Sequence, residues 1–585
     1  MLCNFYIVAI AAFLPLYIRG TYVMLGDDKY LLFRSISLLC LGLVAVATAV
    51  KQLTRMWGWT DSSDGGVLWK RSRVLQERGD PKNLSWKKIL SPRDIWMMLY
   101  GAAVIVSALC SIYGEMAWTG YRDWHMGAVS QLIFVGIYFF VSRCYRGDVW
   151  PVYLSEGAFF LVTVLGFCSR LGLDPLGLMQ GFNSSDWEYS HLISTIGNIN
   201  WFCGYCAVAL AMPVAGYLKG RYLHRTLILY VISTLGLLLL CIQGSDMGLV
   251  LTAICLVVCL LWSHGKVTEF GRTLLMAAGV AFGLPCYSLF VRLLGEEAFK
   301  SIPADGPGLQ LFSWNGWWLI GIVCVGLYFF LRQPSGKTFT ESHGMQEAFG
   351  GNCSEESPDI TFKRMAAVRN LWLGIVILGA AVLAAGGIVY LRRLSGSEAW
   401  INGRGALWRL ASQGFWRGNW KQKLFGAGPD CFAEYIYSTF APSELFVQEG
   451  YWASAIFANA HNQWLNHLVN MGLLGTGCAV GIAIAAARRY YNFMPGVLAL
   501  ALYGVNSLVS FQQVMSTPLF FVMMGICEYQ IQLQDVDDNT SKKDIVGGQE
   551  NEDMEKGRVS DKNTVFCGCW SADRSSYPSF LDSAL

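Results

Sequence analysis

Apolar stretches long enough to cross about 30 Å of hydrocarbon as helices recur along this chain, and they limit its fold more than any other feature. They fall near 3–18, 31–50, 94–112, 126–142, 150–169, 199–217 and 226–242, then near 247–262, 273–291, 317–331, 370–391, 465–486, 495–511 and 515–531. Only short polar stretches separate most of them, so one membrane domain accounts for 585 residues better than a string of soluble ones. Composition agrees, with 54% hydrophobic and 15% charged residues, against about 25% charged in soluble domains. The expected fold is an all-α polytopic membrane protein of about fourteen transmembrane helices, with twelve as the lower bound. The first stretch lacks a small-residue cleavage site and is followed by further spans, so it is expected to be an anchor.

Orientation follows from Lys and Arg in alternate loops. Segments 51–93, 143–149, 218–225, 263–272, 332–369 and 487–494 carry 24 of them, against 6 in 19–30, 113–125, 170–198, 243–246, 292–316 and 512–514. The first set is expected to be cytoplasmic, and an even span count places both termini there too. Residues 1–93 are then N-terminal membrane helices with a basic cytoplasmic loop, 94–531 the main membrane domain, and 532–585 a cytoplasmic tail. The loop 333–369 and the tail are rich in Ser, Gly and charge, which is the composition of segments that stay disordered.

One polar region reads differently. Residues 392–464 fall on the external side and hold Trp400, Trp408, Trp416, Trp420, Trp452 and Trp464. Short interfacial helices are expected in this loop. Up to residue 423 it carries Arg392, Arg393, Arg404, Arg409, Arg417, Lys421 and Lys423 against the single acid Glu398. An amphipathic helix resting on anionic lipid head groups is one reading of that pattern. Another starts from Trp400, Arg404 and Trp408, which stand four residues apart on one helical face. A guanidinium fixed beside aromatic rings suits bidentate recognition of a phosphate or diphosphate.

Downstream, Phe425-Gly-Ala-Gly-Pro-Asp-Cys-Phe432 reads as a tight connecting turn. Ala458-Asn-Ala-His-Asn-Gln-Trp464 then opens into the span 465–486. Asn459 is a plausible N-cap, which would leave His461 in the first helical turn among unpaired N–H groups. That position favours anions and a neutral imidazole able to accept a proton.

Net charge of +3 gives no case for nucleic acid. Most of the 18 cysteines lie inside apolar runs as small hydrophobes. Cys203-x-x-Cys206 and Cys567-x-Cys569 are weak signals, so no metal site is expected.

Taken in order, Gly403-Arg404-x-x-Leu407-Trp408, Phe425-Gly-x-Gly-Pro and His461-Asn462-x-x-Leu465, followed by Gly472-Leu-Leu-Gly475, resemble the O-antigen ligase and polysaccharide polymerase superfamily. Gly120-Tyr-Arg122, Gly197-Asn-Ile-Asn200, Asn506 and Pro518-Leu-Phe extend the likeness over about residues 100–530. The resemblance implies a membrane glycosyltransferase that needs neither metal nor cofactor. Such an enzyme moves a glycan from a polyprenyl diphosphate to a hydroxyl acceptor outside the membrane, with inversion. It implies that Arg404 holds the diphosphate and His461 serves the attacking hydroxyl, with Arg122 as a second phosphate contact. Arg409, Arg417, Lys421, Trp408 and Asn462 are further expected substrate contacts. One departure stands out: where many members carry Ser-Arg, this chain reads Gln243-Gly-Ser-Asp246.

The main rival is a lipid-linked glycan exporter or another transporter. Transporters usually show internal repeats and ionisable residues near the midplane. No repeat is visible between the halves of this chain, and Arg34 and Glu156 lie near span ends. Polymerase and ligase remain open alternatives, because nothing in the sequence fixes the acceptor.

Overall fold

The structure is a computed structural model that describes residues 1–56, 90–183, 185–264, 266–303, 311–332, 366, 370, 404–445 and 456–548. The expected span 370–391 beyond its first residue, the loop 333–369 apart from residue 366, most of the basic loop 51–93, Trp400, Trp452 and the tail beyond 548 lie outside these residues.

Among the described residues the chain is all-α apart from one two-stranded antiparallel pair, β1 (Leu192–Ile193) and β2 (Gly197–Asn198). Besides short helical turns at Glu115–Thr119, Trp187–His191 and Glu296–Lys300, the helices are α1 (Leu2–Leu16, with a π-helical middle), α2 (Leu25–Met56), α3 (Pro92–Cys110), α4 (Ala128–Cys144), α5 (Trp150–Arg170) and α6 (Ile199–Lys219). Then come α7 (Leu223–Ile242), α8 (Asp246–Trp262), α9 (Val267–Leu294) and α10 (Gly316–Arg332). Three short ones follow, α11 (Arg404–Arg417), α12 (Trp420–Phe425) and α13 (Phe432–Thr439). The last are α14 (Gln463–Tyr490), α15 (Met494–Asn506) and α16 (Thr517–Gly548). Seven of these, in α2, α3, α5, α6, α7, α9 and α14, are long and apolar enough to cross a membrane.

Caps mark where the helices begin. Ser91 and Asp94 form a capping box at the start of α3, each side chain bonded to the other's backbone N–H, with Pro92 as the first helical residue. The main packed core includes α1, so the N-terminal helices belong to the same body as most of the rest, and a smaller core lies between α9 and α10.

Three largely buried ion pairs lie at one end of the bundle. Arg93 forms a bidentate pair with Glu528 of α16, at 2.5 and 3.0 Å. Asp94 pairs with Arg143 at 2.6 Å, and Glu156 with Arg225 at 3.2 Å. Buried charges persist in apolar surroundings when paired in this way. The opposite ends of α3, α4, α5 and α7 carry the turns described below.

Two sequence expectations are corrected. The apolar run 495–511 was expected to be one span and 515–531 the next, but α15 stops at Asn506 and residues 507–516 are mostly irregular. The cause is local polarity. Ser507, Ser510, Gln512, Gln513 and Ser516 are buried polar side chains that compete for backbone groups, and the carbonyls of Ser507 and Leu508 accept from Gln463 N and Asn462 Nδ2. The tail expected to be disordered from 532 instead continues α16 to Gly548.

Candidate functional site

The turns at the end of the bundle away from the ion pairs converge on His461. Asn462 is the N-cap of α14, its Oδ1 accepting from Trp464 N and Leu465 N at 3.0 Å each. This corrects the expectation that Asn459 caps the helix with His461 in its first turn. His461 precedes the cap in the left-handed conformation, with φ 45°. Asn459 serves instead as an Asx turn, its Oδ1 accepting the His461 N–H at 3.0 Å. Asn466 Oδ1 reaches back to Ala460 N at 3.2 Å, and Trp464 Nε1 donates to Ser507 Oγ at 3.0 Å. The turn is therefore held from both sides, and Asn462 is occupied as a cap and as a donor to Leu508 O at 2.9 Å.

The His461 ring is half-buried and meets the Phe511 ring edge-on at 5.0 Å. Burial and then the neighbouring Arg404 guanidinium push its pKa down to about 3, so the imidazole is neutral at physiological pH.

Arg404 is the first described residue of α11. That helix turns Ala406, Leu407, Leu410 and Ala411 inward, and it packs on α13 and α14. Burial of the two leucines is worth about 1.5–3 kcal/mol each and anchors the helix against the end of α14. The Arg404 guanidinium is half-buried, and among the described residues no side chain hydrogen-bonds to it. Burial lowers its pKa, while Asp246 at the start of α8 acts the other way through its charge, and the Cys203 thiol of α6 stands close by. The departure noted at Asp246 thus falls beside Arg404, so an acid stands next to this cation.

Ser245, the N-cap of α8, donates its Oγ to Asn200 Oδ1 near the start of α6 at 2.8 Å. Gln243 Nε2 donates to Ser245 O at 3.1 Å and contacts Cys203 Sγ at 3.3 Å, while its Oε1 is buried without a hydrogen-bond partner among the described residues. The starts of α6 and α8 therefore lie beside the guanidinium, and helix starts favour anions.

Of the other expected contacts, Trp408 lies one turn along α11 from Arg404 and packs half-buried against the core. Arg122 is exposed on the turn 120–127. The same turn holds Trp124, whose ring meets Phe511 at 4.7 Å and Trp201 at 5.6 Å, so it closes over the His461 side of the group. Arg409 acts electrostatically on Glu444, which Arg417 holds in a bidentate pair at 2.6 and 3.1 Å; these contacts, with that from Arg417 first, lower the Glu444 pKa to about 2. Arg417 lies thirteen residues along α11 from Arg404, about 20 Å away. Lys421 is exposed over the Trp420 ring at 5.8 Å. Arg417 and Lys421 are not brought to Arg404 and His461.

The connecting turn proves to be structural machinery. Ala427 N and Gly428 N donate to Val469 O and Asn470 O at 2.9 and 2.8 Å, pairing the turn with α14 where that helix kinks at Gly472. A Cβ on Gly472, where φ is 62°, would lie 2.6 Å from Gly426 N, so this close approach requires glycine. Sequence reasoning also missed Phe511, hidden in an apparent span, and Asp430, masked by its Gly-Pro context.

Comparison with protein-family models finds no match, and comparison with curated proteins finds none either.

Proposed function

We propose that this chain is a membrane glycosyltransferase that takes a glycan from a polyprenyl diphosphate and joins it to a hydroxyl acceptor on the external face. The reading includes the fourteen-span topology with both termini cytoplasmic, in which the ion-pair end faces inward and the His461 end outward. The observation that carries it is the juxtaposition of a cation free of hydrogen-bonded partners among the described residues, Arg404, with a histidine kept neutral, His461.

The chemistry follows from those two groups. An acceptor O–H donates its hydrogen bond to the neutral His461 ring, and the oxygen attacks the anomeric carbon. The bond from that carbon to the diphosphate oxygen breaks, and the electron pair leaves with the diphosphate. Arg404 and the surrounding helix starts neutralise the departing charge, and the acceptor proton passes to His461. The arriving diphosphate opposes the effect of Arg404 on the ring, so His461 becomes more basic once the donor is bound. One displacement inverts the anomeric centre.

Incubation of purified protein with a lipid-diphosphate repeat unit tests the reading. A ladder of lipid-linked products without added acceptor identifies a polymerase, and products only after addition of a foreign acceptor identify a ligase. The transport reading draws on a mostly apolar cavity among α1, α5, α6 and α16, where Glu156 pairs with Arg225. No product in either assay, with movement of the intact lipid-linked glycan between leaflets, would establish transport instead.

The pH dependence follows from His461. Its conjugate acid is the inactive form and its free-site pKa is about 3, so kcat/KM, which reports the free enzyme, is expected to stay flat from pH 8 down to pH 5, about two units above that value. An acid limb centred near the ordinary histidine value of about 6.5, lost in His461→Asn, would contradict a ring held neutral by Arg404 and burial.

A further inference from the structure

Asp430 closes the Gly426-Ala-Gly-Pro-Asp turn in the left-handed conformation, with φ 61° and 5% exposure. Its Oδ2 accepts two backbone hydrogen bonds, from Tyr121 N and Met126 N, both at 2.8 Å. Those amides stand at the two ends of the turn that carries Arg122 and Trp124. The neck of that turn is tight: a Cβ on Gly127 would lie 2.3 Å from Gly120 N, and one on Gly120 2.6 Å from Gly127 N. A single carboxylate oxygen thus bridges the neck. Burial pushes the Asp430 carboxyl up to about 7, the two N–H groups act the other way, and what the neck needs from this side chain is an oxygen that accepts both of them.

Asp430 is itself anchored on its other side. The bonds from Ala427 N and Gly428 N to α14, and one from Ser111 Oγ to Ala427 O at 2.5 Å, fix the preceding residues. A line of fixed contacts therefore runs from α14, the helix that His461 precedes, through residues 426–430 to the turn 120–127. Across the gap, Trp124 touches Phe511 and Phe511 touches His461. Arg122 stands exposed on this turn, and among the described residues nothing pairs with its guanidinium.

We propose that Asp430 is a positioning residue that holds Arg122 beside the His461 and Arg404 group, where Arg122 supplies the second cation for a lipid-linked diphosphate. The inference rests on the transfer reaction proposed above. Arg122 contacts the diphosphate in the ground state and the transition state alike, so its loss appears in KM and not in kcat.

Kinetics and hydrogen exchange together test it. Asp430→Ala is expected to raise KM for the lipid-diphosphate donor about tenfold with kcat nearly unchanged, and Arg122→Ala to do the same. The double variant is expected to be no worse than either single one, because both act through one contact. Asp430→Asn, whose amide oxygen still accepts both N–H groups, is expected to stay close to the unaltered protein. Effects that multiply in the double variant would overturn the proposal, since a general structural role for Asp430 predicts independence from Arg122. Should Asp430→Ala fail to accumulate in the membrane, Asp430→Ser, too short to reach both amides, takes its place with the same expectations. Exchange at the amides of 121 and 126, measured without substrate, is expected to quicken in Asp430→Ala and not in Asp430→Asn. Faster exchange in a protein that shows no transfer would retain the anchoring of the turn and remove the transfer reading. Unchanged exchange in an active protein would remove the positioning role alone.

Discussion

Alanine at Arg404 is expected to lower the turnover of glycan transfer by about two to three powers of ten, with the protein still inserted and folded. Removal of one preorganised charge donor at a developing anion typically costs about 3–4 kcal/mol, and Arg122, assigned above to ground-state and transition-state binding alike, does not replace it. Asp246 beside it is acidic, and Arg417, about 20 Å along α11, is held by Glu444 at 2.6 Å. Arg404→Lys keeps the charge and loses the planar fork, so an intermediate loss is expected. Arg417→Ala supplies the control, with activity expected to change by less than about threefold, since exposed ion pairs contribute little. Single-turnover rates with a lipid-diphosphate donor in detergent or nanodiscs provide the measurement. Equal losses in Arg404→Ala and Arg417→Ala would place the diphosphate along the whole basic face of α11 and not at its first residue.

Asp246 bears on the same measurement. An acid beside Arg404 offsets part of its charge, and under the proposed transfer reaction it would make the approach of a second cation to a bound diphosphate more useful. Arg122 is the exposed cation on the turn that closes over His461, which is why its placement by Asp430 matters to the charge balance.

The helical layout was legible where polarity and periodicity agreed. Ser91-Pro92 with Asp94 announces the start of α3, and the structure builds a capping box there. The layout was misread where a tertiary contact overrode the local pattern. Leu508, Val509 and Phe511 continue an apolar run, yet the carbonyls of Ser507 and Leu508 turn towards Gln463 and Asn462, some 45 residues away in sequence. The same contacts decide between Asn459 and Asn462 as the cap of α14. Both have the right chemistry for it, and only the second lies where its amide reaches Leu508 O. Within the candidate site, Arg404 and His461 were legible by residue type and by order in the loop. Asp430 was not, because an acid after Gly-Pro reads as a turn former, and its partners lie about 300 residues earlier. The basic residues of α11 looked equivalent in sequence. Glu444, beyond the stretch that had appeared nearly free of acids, separates them by capturing Arg417.

Loss of the imidazole at His461 is expected to cost about two to four powers of ten in turnover, the range for removal of a positioned proton acceptor. The choice of replacement matters because residue 461 has φ 45°. Alanine in the left-handed region adds about 1–2 kcal/mol of backbone cost, which would mix a folding effect with the chemical one. Asparagine tolerates that conformation, so His461→Asn isolates the ring while the bonds from Asn459, Asn462 and Asn466 hold the turn. Its melting midpoint in detergent is expected to match that of the unaltered protein, with transfer reduced to the level of Arg404→Ala or below. Two further results would divide the role of the ring. His461→Gln retaining most of the activity would make His461 an acceptor that orients the hydroxyl, with the proton passing to the departing diphosphate. His461→Gln falling as far as His461→Asn would make the ring the proton acceptor itself. Its pKa of about 3 in the empty site would then have to rise as the diphosphate counters Arg404, and Arg404→Ala would move the acid limb of the remaining activity upwards.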